Sequence, residues 1–269
     1  VIIMKAVFSF LNTTGNPLIE ARNFMNPKLF LYSWVLSTHL AKQQFGDVEI
    51  VTDSDSSKLF EKLKLPVKIK TNLNLLKDIV NPELWALGKI KAYEIQEEPF
   101  IHIDNDVFLF GKLPDNIHNV DAFFQQKEDL YPHVYQEYIN TLNKKNNGLV
   151  ESWGLENFAF NTAIYACNNL DYNKEYCRQA FELVYKNEKR MLQTGGGNYC
   201  VIFEQYLASC VAKQLNIKTD TLLENYDNSK VQYVHVWGEK RNIEWFNNIE
   251  TIIKRDYSNH YEIINELIK

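Results

Sequence analysis

The sequence predicts an α/β protein with a mainly parallel sheet flanked by helices. Three observations predict it. In the first half of the chain, short apolar runs rich in Val, Ile and Phe alternate with helical patterns. Such alternation implies crossover connections and parallel pairing. The run from Phe100 to Phe110 is apolar apart from His102 and Asp104-Asn105-Asp106, as expected of a strand buried on both faces. At 269 residues and 45% hydrophobic, the chain can fill the core of one large domain.

Val1 to Phe10 reads as the first strand, and Leu11 to Pro17 as a loop. A helical pattern runs from Pro27 to Phe45 and stops at Gly46, and the strand Val48 to Thr52 follows. A second helix spans Ser56 to Leu63, then a strand Pro66 to Lys70. Pro82 opens a helix reaching Ile95, with Asn81 as its cap. Next comes the Asp-x-Asp strand, in the layout of Rossmann-like nucleotide-binding folds, where ligands bind beyond the carboxyl ends of the strands.

The second half is less regular. Val120 to Phe124 and Asn157 to Tyr165 read as strands, around a polar, aromatic stretch with Tyr131, His133, Tyr135 and Tyr138. Helices cover Lys174 to Met191 and Tyr199 to Gln214, on either side of Gly195-Gly196-Gly197. The strand Val231 to Trp237 precedes a helical tail. With no internal repeat and no linker, the expectation is one domain over residues 1–241 and a helical extension over 242–269 packed on it.

Composition excludes several classes. With 29 basic against 34 acidic residues, the balance argues against nucleic-acid affinity resting on a broad basic surface and leaves room only for a local basic pocket. Cys167, Cys177, Cys200 and Cys210 have neither zinc-like spacing nor Cys-x-x-Cys pairing, and read as thiols in a reducing cytoplasm. No run approaches the roughly 20 apolar residues of a membrane span. The opening segment reads as a strand, not a signal peptide. The expected location is cytoplasmic.

Asp104 and Asp106 carry the chemistry. On a strand they would share one face, with Asn105 pointing away. Two carboxylates so placed repel unless a cation joins them. A divalent metal does this, and Mg²⁺ or Mn²⁺ takes carboxylate oxygens together with substrate phosphates. A second Asp-x-Asp, Asp53-Ser54-Asp55, precedes a helical pattern, where capping explains it.

Phe100 to Phe110, with Gly111-Lys112-Leu113-Pro114 after it, resembles the metal-binding segment of GT-A glycosyltransferases. It is most similar to glycosyltransferase family 8 and related retaining enzymes. Three later segments follow in that family's order. Phe160-Asn161-Thr162-Ala163 resembles its Phe-Asn-x-Gly strand, with Ala163 for glycine. Phe203-Glu204-Gln205 resembles its Asp-Gln pair, with Glu204 for Asp. His235-Val236-Trp237-Gly238-Glu239-Lys240-Arg241 resembles its His-x-x-Gly-x-x-Lys motif, with Arg241 at the Lys position and Lys240 one residue earlier.

The resemblance implies a GT-A fold and a retaining, metal-dependent transfer of sugar from a nucleotide-diphosphate donor such as a UDP-sugar. The acceptor would be a glycan or a lipid-linked molecule. Asp104, Asp106 and His235 would hold Mn²⁺ or Mg²⁺, and Lys240 or Arg241 the diphosphate. Asn161, Glu204 and Gln205 would surround the transferred sugar. Asp53, Lys89 and Asn105 complete the expected donor contacts, although the residues themselves favour a solvated helix face for Lys89. The Gly triplet reads as a loop over the acceptor. Tyr131 to Tyr138 and Trp153 read either as a stacking surface for it or as core packing. The tail, with Trp245, Phe246, Ile249, Ile252 and Ile253, reads as core cover or a peripheral membrane contact.

Two other readings use the same residues. Asp104 and Asp106 also fit the nucleophile and acid/base of haloacid-dehalogenase-type phosphatases. Those enzymes place the motif on their first strand, whereas here about 100 residues precede it and no late acidic pair follows. The substitutions at Ala163 and Glu204 support a GT-A-shaped module that binds sugar nucleotides or glycans without turnover.

Overall fold

The computed structural model describes residues 4–18, 24–77, 80–143, 156–223 and 232–269. Val1 to Ile3, Trp153 and Val231, which enter the expectations above, lie outside the described residues. The strands are β1 (Lys5–Phe10), β2 (Val48–Thr52), β3 (Lys68–Lys70), β4 (Phe100–Ile103), β5 (Val107–Leu109), β6 (Ala122–Asp129), β7 (Phe158–Cys167), β8 (Thr219–Thr221) and β9 (Tyr233–His235). The helices are α1 (Pro27–Phe45), α2 (Ser54–Leu63), α3 (Asn74–Lys77), α4 (Leu87–Glu94), α5 (Glu137–Asn143), α6 (Leu170–Thr194), α7 (Leu207–Gln214), α8 (Ile243–Asp256) and α9 (Ser258–Leu267). Seven strands form a mainly parallel sheet flanked by helices, and β5 pairs with β9 apart from it.

The chain divides into two compact units, the first formed by Val1–Asp78, Ile103–Leu113 and Ser229–Lys269. In it β1, β2 and β3 pair in parallel, with Ala6 opposite Val48 and Glu49 opposite Lys68. Asn26 caps α1 by accepting from Leu29 N at 2.9 Å, and Gly46 closes it at φ 69°, where glycine costs least. Helix α1 is buried along most of its length because two sets of partners cover it. Phe10, Trp34 and Phe60 pack together on one side, the Trp34 and Phe60 rings 4.7 Å apart. On the other, the Tyr32 ring lies 6.2 Å from both Phe246 and Tyr261, while Ile249, Ile253 and Ile264 of the tail are buried. The tail therefore covers α1.

The second unit comprises Ile79–His102 and Pro114–Asn228. Here β6 pairs antiparallel with β7 and parallel with β8. Phe124 stacks on Phe160 at 4.0 Å, and Tyr165 stacks on Phe124 at 5.2 Å, which makes the aromatic centre of this core.

Four sequence expectations are corrected. The strand through the Asp pair ends at Ile103, and Asp104, Asn105 and Asp106 form a turn closed by Val107 N–H donating to Asp104 O at 3.0 Å. The strand expected to end at Phe124 runs on to Asp129, across a register shift between Phe124 and Gln126. The helix expected over 199–214 is a 3₁₀ turn at Gly196–Tyr199, a π-helical turn at Ile202–Tyr206 and then α7. The helix expected over 82–95 is a 3₁₀ turn at Pro82–Leu84 followed by α4.

Candidate functional site

Antiparallel pairing builds the candidate site of the first unit. Val107 of β5 lies opposite His235 of β9, and Val236 N–H donates to Asp106 O at 3.0 Å. The pairing brings His235 Nε2 to 3.6 Å from Asp106 Oδ2. Beyond β9 the chain turns through Trp237–Glu239, and Lys240 Nζ reaches 2.8 Å from the same carboxylate oxygen. Met25 N–H donates to Lys240 O at 2.8 Å, and the Phe24 ring lies 5.1 Å from the ammonium. Both contacts fix the lysine.

Asp106 is 3% exposed. Burial pushes its carboxyl up, but the Lys240 ammonium and then the His235 imidazole outweigh burial and hold it well below the usual carboxylate range. Asp106 is therefore a buried anion at neutral pH, joined to a lysine and a histidine.

The other predicted residues of this unit fare differently. Asp104 is half-buried and does not complete a ligand cluster. Among the described residues, no three His, Cys, Asp or Glu side chains gather closely enough to hold a metal. A carboxylate oxygen and an imidazole nitrogen 3.6 Å apart nevertheless match the donor chemistry of a Mn²⁺ or Mg²⁺ site in type and separation. Asn105 points back to α1, its Nδ2 donating to Ser33 Oγ at 3.0 Å. Arg241 is exposed. Asp53 is fully buried as the cap of α2: Oδ1 accepts from the N–H groups of Asp55 and Ser56, and Oδ2 from Asn12 N–H and Ser56 Oγ. Both its oxygens are committed to structure.

The second unit holds two buried polar clusters. In one, Lys89 Nζ donates to Glu204 Oε1 at 2.6 Å, and Thr162 Oγ1 donates to the same oxygen at 2.6 Å. The Tyr176 hydroxyl donates to the Glu204 carbonyl, anchoring the π-helical turn. Lys89 is 5% exposed, so the solvated-face expectation is overturned. The lysine sits inside because α4 carries buried residues on several sides, and the glutamate neutralises it.

In the other cluster, Asn161 Nδ2 donates to Glu128 Oε1 at 2.6 Å, and the Tyr135 hydroxyl lies 2.7 Å from Glu128 Oε2 and 2.6 Å from Gln205 Oε1. Sequence reasoning missed Glu128, because the strand carrying it was expected to end four residues earlier. Its signal was Gln126 and Glu128 two residues apart, which places both on one face of a strand.

The aromatic stretch also divides. Tyr135 is fully buried, Tyr131 is 48% exposed, and Tyr138 packs on Tyr199 at 4.9 Å. Gly196 adopts φ 52°, and the Glu83 carboxylate occupies the space a Cβ would need. That is a 3₁₀ turn packed on a neighbour.

The family of unknown function DUF6734 matches residues 4–267. The chain belongs to that family. No curated protein matches this DUF6734 chain significantly. Among solved structures it is similar to mouse xyloside xylosyltransferase 1 in its apo form, at 13% identity over 84% of this chain and 89% of that one, TM-score 0.45. It is similar to galactosyltransferase LgtC in complex with donor and acceptor sugar analogues, at 12% identity over 81% and 73%, TM-score 0.44. It is also similar to the nucleoside-diphosphate-sugar pyrophosphorylase from Vibrio cholerae RC9, at 11% identity over 82% and 93%, TM-score 0.42. Likeness at this level is no warrant for a shared activity, and the functional case for this DUF6734 protein rests on its side chains. No helix among the described residues is long and apolar enough to cross a membrane.

Proposed function

We propose that this protein is a glycosyltransferase of GT-A type that moves a sugar from a nucleotide-diphosphate donor, a UDP-sugar, to a glycan or lipid-linked acceptor with retention. The observation that carries the reading is the buried Asp106 held between His235 and Lys240. A diphosphate leaving group gains negative charge as the bond to the sugar breaks, and fixed cations nearby stabilise that charge. Lys240 is such a cation, and exposed Arg241 beside it adds a bidentate fork for phosphate oxygens.

Asp106 and His235, joined by Asp104, would hold Mn²⁺ or Mg²⁺. The ion would act as a Lewis acid on the diphosphate oxygens. In the second unit, Asn161 and Gln205 supply amides for the transferred sugar. Glu204, neutralised by Lys89, anchors the turn that carries Gln205 and leaves the sugar contact to its neighbour. Asp53 belongs to the cap of α2, not to the donor.

The phosphatase reading asks Asp106 to shuttle a proton. A buried carboxylate already ion-paired to Lys240 at 2.8 Å is poorly placed to shuttle a proton, and this geometry favours the transferase reading. The test is a screen of UDP- and GDP-sugars with Mn²⁺, following free nucleotide release with and without oligosaccharide acceptors. Release that depends on one sugar and is abolished by Asp106→Asn supports the proposal. Tight nucleotide binding with no release from any donor would favour the non-catalytic module.

A further inference from the structure

Glu128 is 8% exposed, and among the described residues it has no ion-pair partner. Its hydrogen-bond partners there are neutral: Asn161 Nδ2 at 2.6 Å and Gln126 Nε2 at 3.2 Å on Oε1, and the Tyr135 hydroxyl at 2.7 Å on Oε2. A buried carboxylate without a cation is costly, and an apolar side chain would suit a strand beside Phe160 better. The contrast with Glu204, which has Lys89 at 2.6 Å, is direct.

The three donors are not independent of the expected sugar contacts. Gln126 lies opposite Asn161 in the β6–β7 register, so Glu128 reaches the Asn161 amide from two residues along the same strand face. Asn161 is clamped at both ends, because its Oδ1 accepts from Ala163 N–H at 3.0 Å. One N–H of that amide is left to donate elsewhere. Tyr135 has a single hydroxyl proton and two acceptors, Glu128 Oε2 and Gln205 Oε1. That one proton is shared between the glutamate and the Gln205 amide oxygen, leaving the Gln205 N–H groups as donors. Tyr135 and Gln205 each sit on a π-helical turn, at Pro132–Gln136 and Ile202–Tyr206, and such turns recur at functional sites.

We propose that Glu128 is a positioning residue: it sets the Asn161 amide directly and the Gln205 amide through Tyr135, so that both present N–H donors to oxygen atoms of the transferred sugar. This rests on the transferase reading. Glu128 itself touches no substrate. Its carboxylate polarises and orients the two amides, which sets the direction of their N–H donors.

The test compares wild type with Glu128→Gln, Tyr135→Phe and the double variant, using the UDP-sugar that the screen shows is hydrolysed. Three quantities are read: kcat for hydrolysis, the Kd for UDP alone by calorimetry, and the melting temperature. In Glu128→Gln one of the two acceptor oxygens becomes an NH2 group, so the side chain can no longer accept from both Asn161 and Tyr135 and one of the two clamps is lost. The expected result is a fall in kcat of about tenfold to a hundredfold, with the UDP Kd within about twofold of wild type. Tyr135→Phe falls about tenfold, and the double variant falls no further than Glu128→Gln, because residues acting as one unit are not additive. A kcat within twofold of wild type overturns the proposal. So does a UDP Kd that weakens in step with kcat, or losses that add independently. If Glu128→Gln does not fold, Tyr135→Phe alone carries the same kcat-against-Kd test. Wild type that hydrolyses no donor contradicts the transferase reading, and this inference with it, before any variant is compared.

Discussion

Lys240 Nζ lies 2.8 Å from Oδ2 of Asp106, a carboxylate buried in the turn between β4 and β5. The pair joins two segments more than 130 positions apart in the chain, and the antiparallel contact of β5 with β9 makes it possible. A buried carboxylate with one ammonium is a place where a second, larger negative group can be held only if cations are arranged for it.

Removing the ammonium therefore has two effects. Lys240→Met leaves Asp106 buried without its main counter-charge, and it removes a charge-assisted contact to the diphosphate. Such contacts are worth about 1.5–3 kcal/mol. UDP affinity should fall by about tenfold to a hundredfold in calorimetric titration, while Lys240→Arg should retain most of it. Unchanged affinity in Lys240→Met would remove Lys240 from the donor site.

The buried Lys89–Glu204 pair is a stability element. Breaking it from one side leaves an uncompensated charge and should cost about 3–5 kcal/mol. Lys89→Met should thus lower the melting temperature by on the order of 10 °C. The double variant Lys89→Met with Glu204→Leu should recover a large part of that loss in calorimetric melting. Equal melting of the single and double variants would contradict the pairing.

Asp53 separates structure from function. Its side chain caps α2 and holds Asn12 N–H at 2.8 Å, so Asp53→Ala should destabilise the fold by about 1–3 kcal/mol in urea unfolding. UDP affinity should not change. A specific loss of UDP binding at unaltered stability would return Asp53 to the donor site.

Acid should loosen the tail. His39 of α1 and His260 of α9 lie 4.8 Å apart, ring centre to ring centre, with the Tyr257 ring 4.5 Å from His39. Burial lowers both imidazoles below their ordinary 6.5; His260 lowers His39 further, and Lys64 faces His260. A base whose folded value is depressed binds protons more readily when unfolded. Stability is therefore full above 6.5 and falls as the pH drops below it. Asp106 acts in a separate, lower window, below about pH 4, where an unfolded Asp takes up its proton. Denaturant unfolding from pH 7.5 to 5 should show the loss, and His39→Phe should flatten it. A wild-type profile already flat in that range would refute the assignment.

Much of the first unit was legible because its signals are local. Pro27 and Gly46 mark the ends of α1, and the alternation up to β3 follows short apolar runs. The Asp pair was legible as chemistry but not as geometry. Apolar runs on both sides suggested a continuous strand, whereas the turn at Asp104 and the β5–β9 pairing depend on contacts that no local pattern shows. His235 and Lys240, named through the resemblance and not through periodicity, lie beside Asp106. Glu128 and Tyr135 were not legible as a pair. A register shift after Phe124 hides the rest of β6 from periodicity, and π-helical turns carry no period that separates them from α-helix. Lys89 misled for a related reason, since a charged residue on a helix reads as solvated until its buried partner is known.

The most direct measurement is calorimetric titration of UDP into the wild-type protein with Mn²⁺, with EDTA, and into Asp106→Asn with Mn²⁺, each checked for folding by circular dichroism. The account predicts binding with Mn²⁺, weakened at least tenfold by EDTA and abolished in the folded Asp106→Asn protein. UDP that binds equally well in all three, or in none, would contradict a diphosphate site built on Asp106.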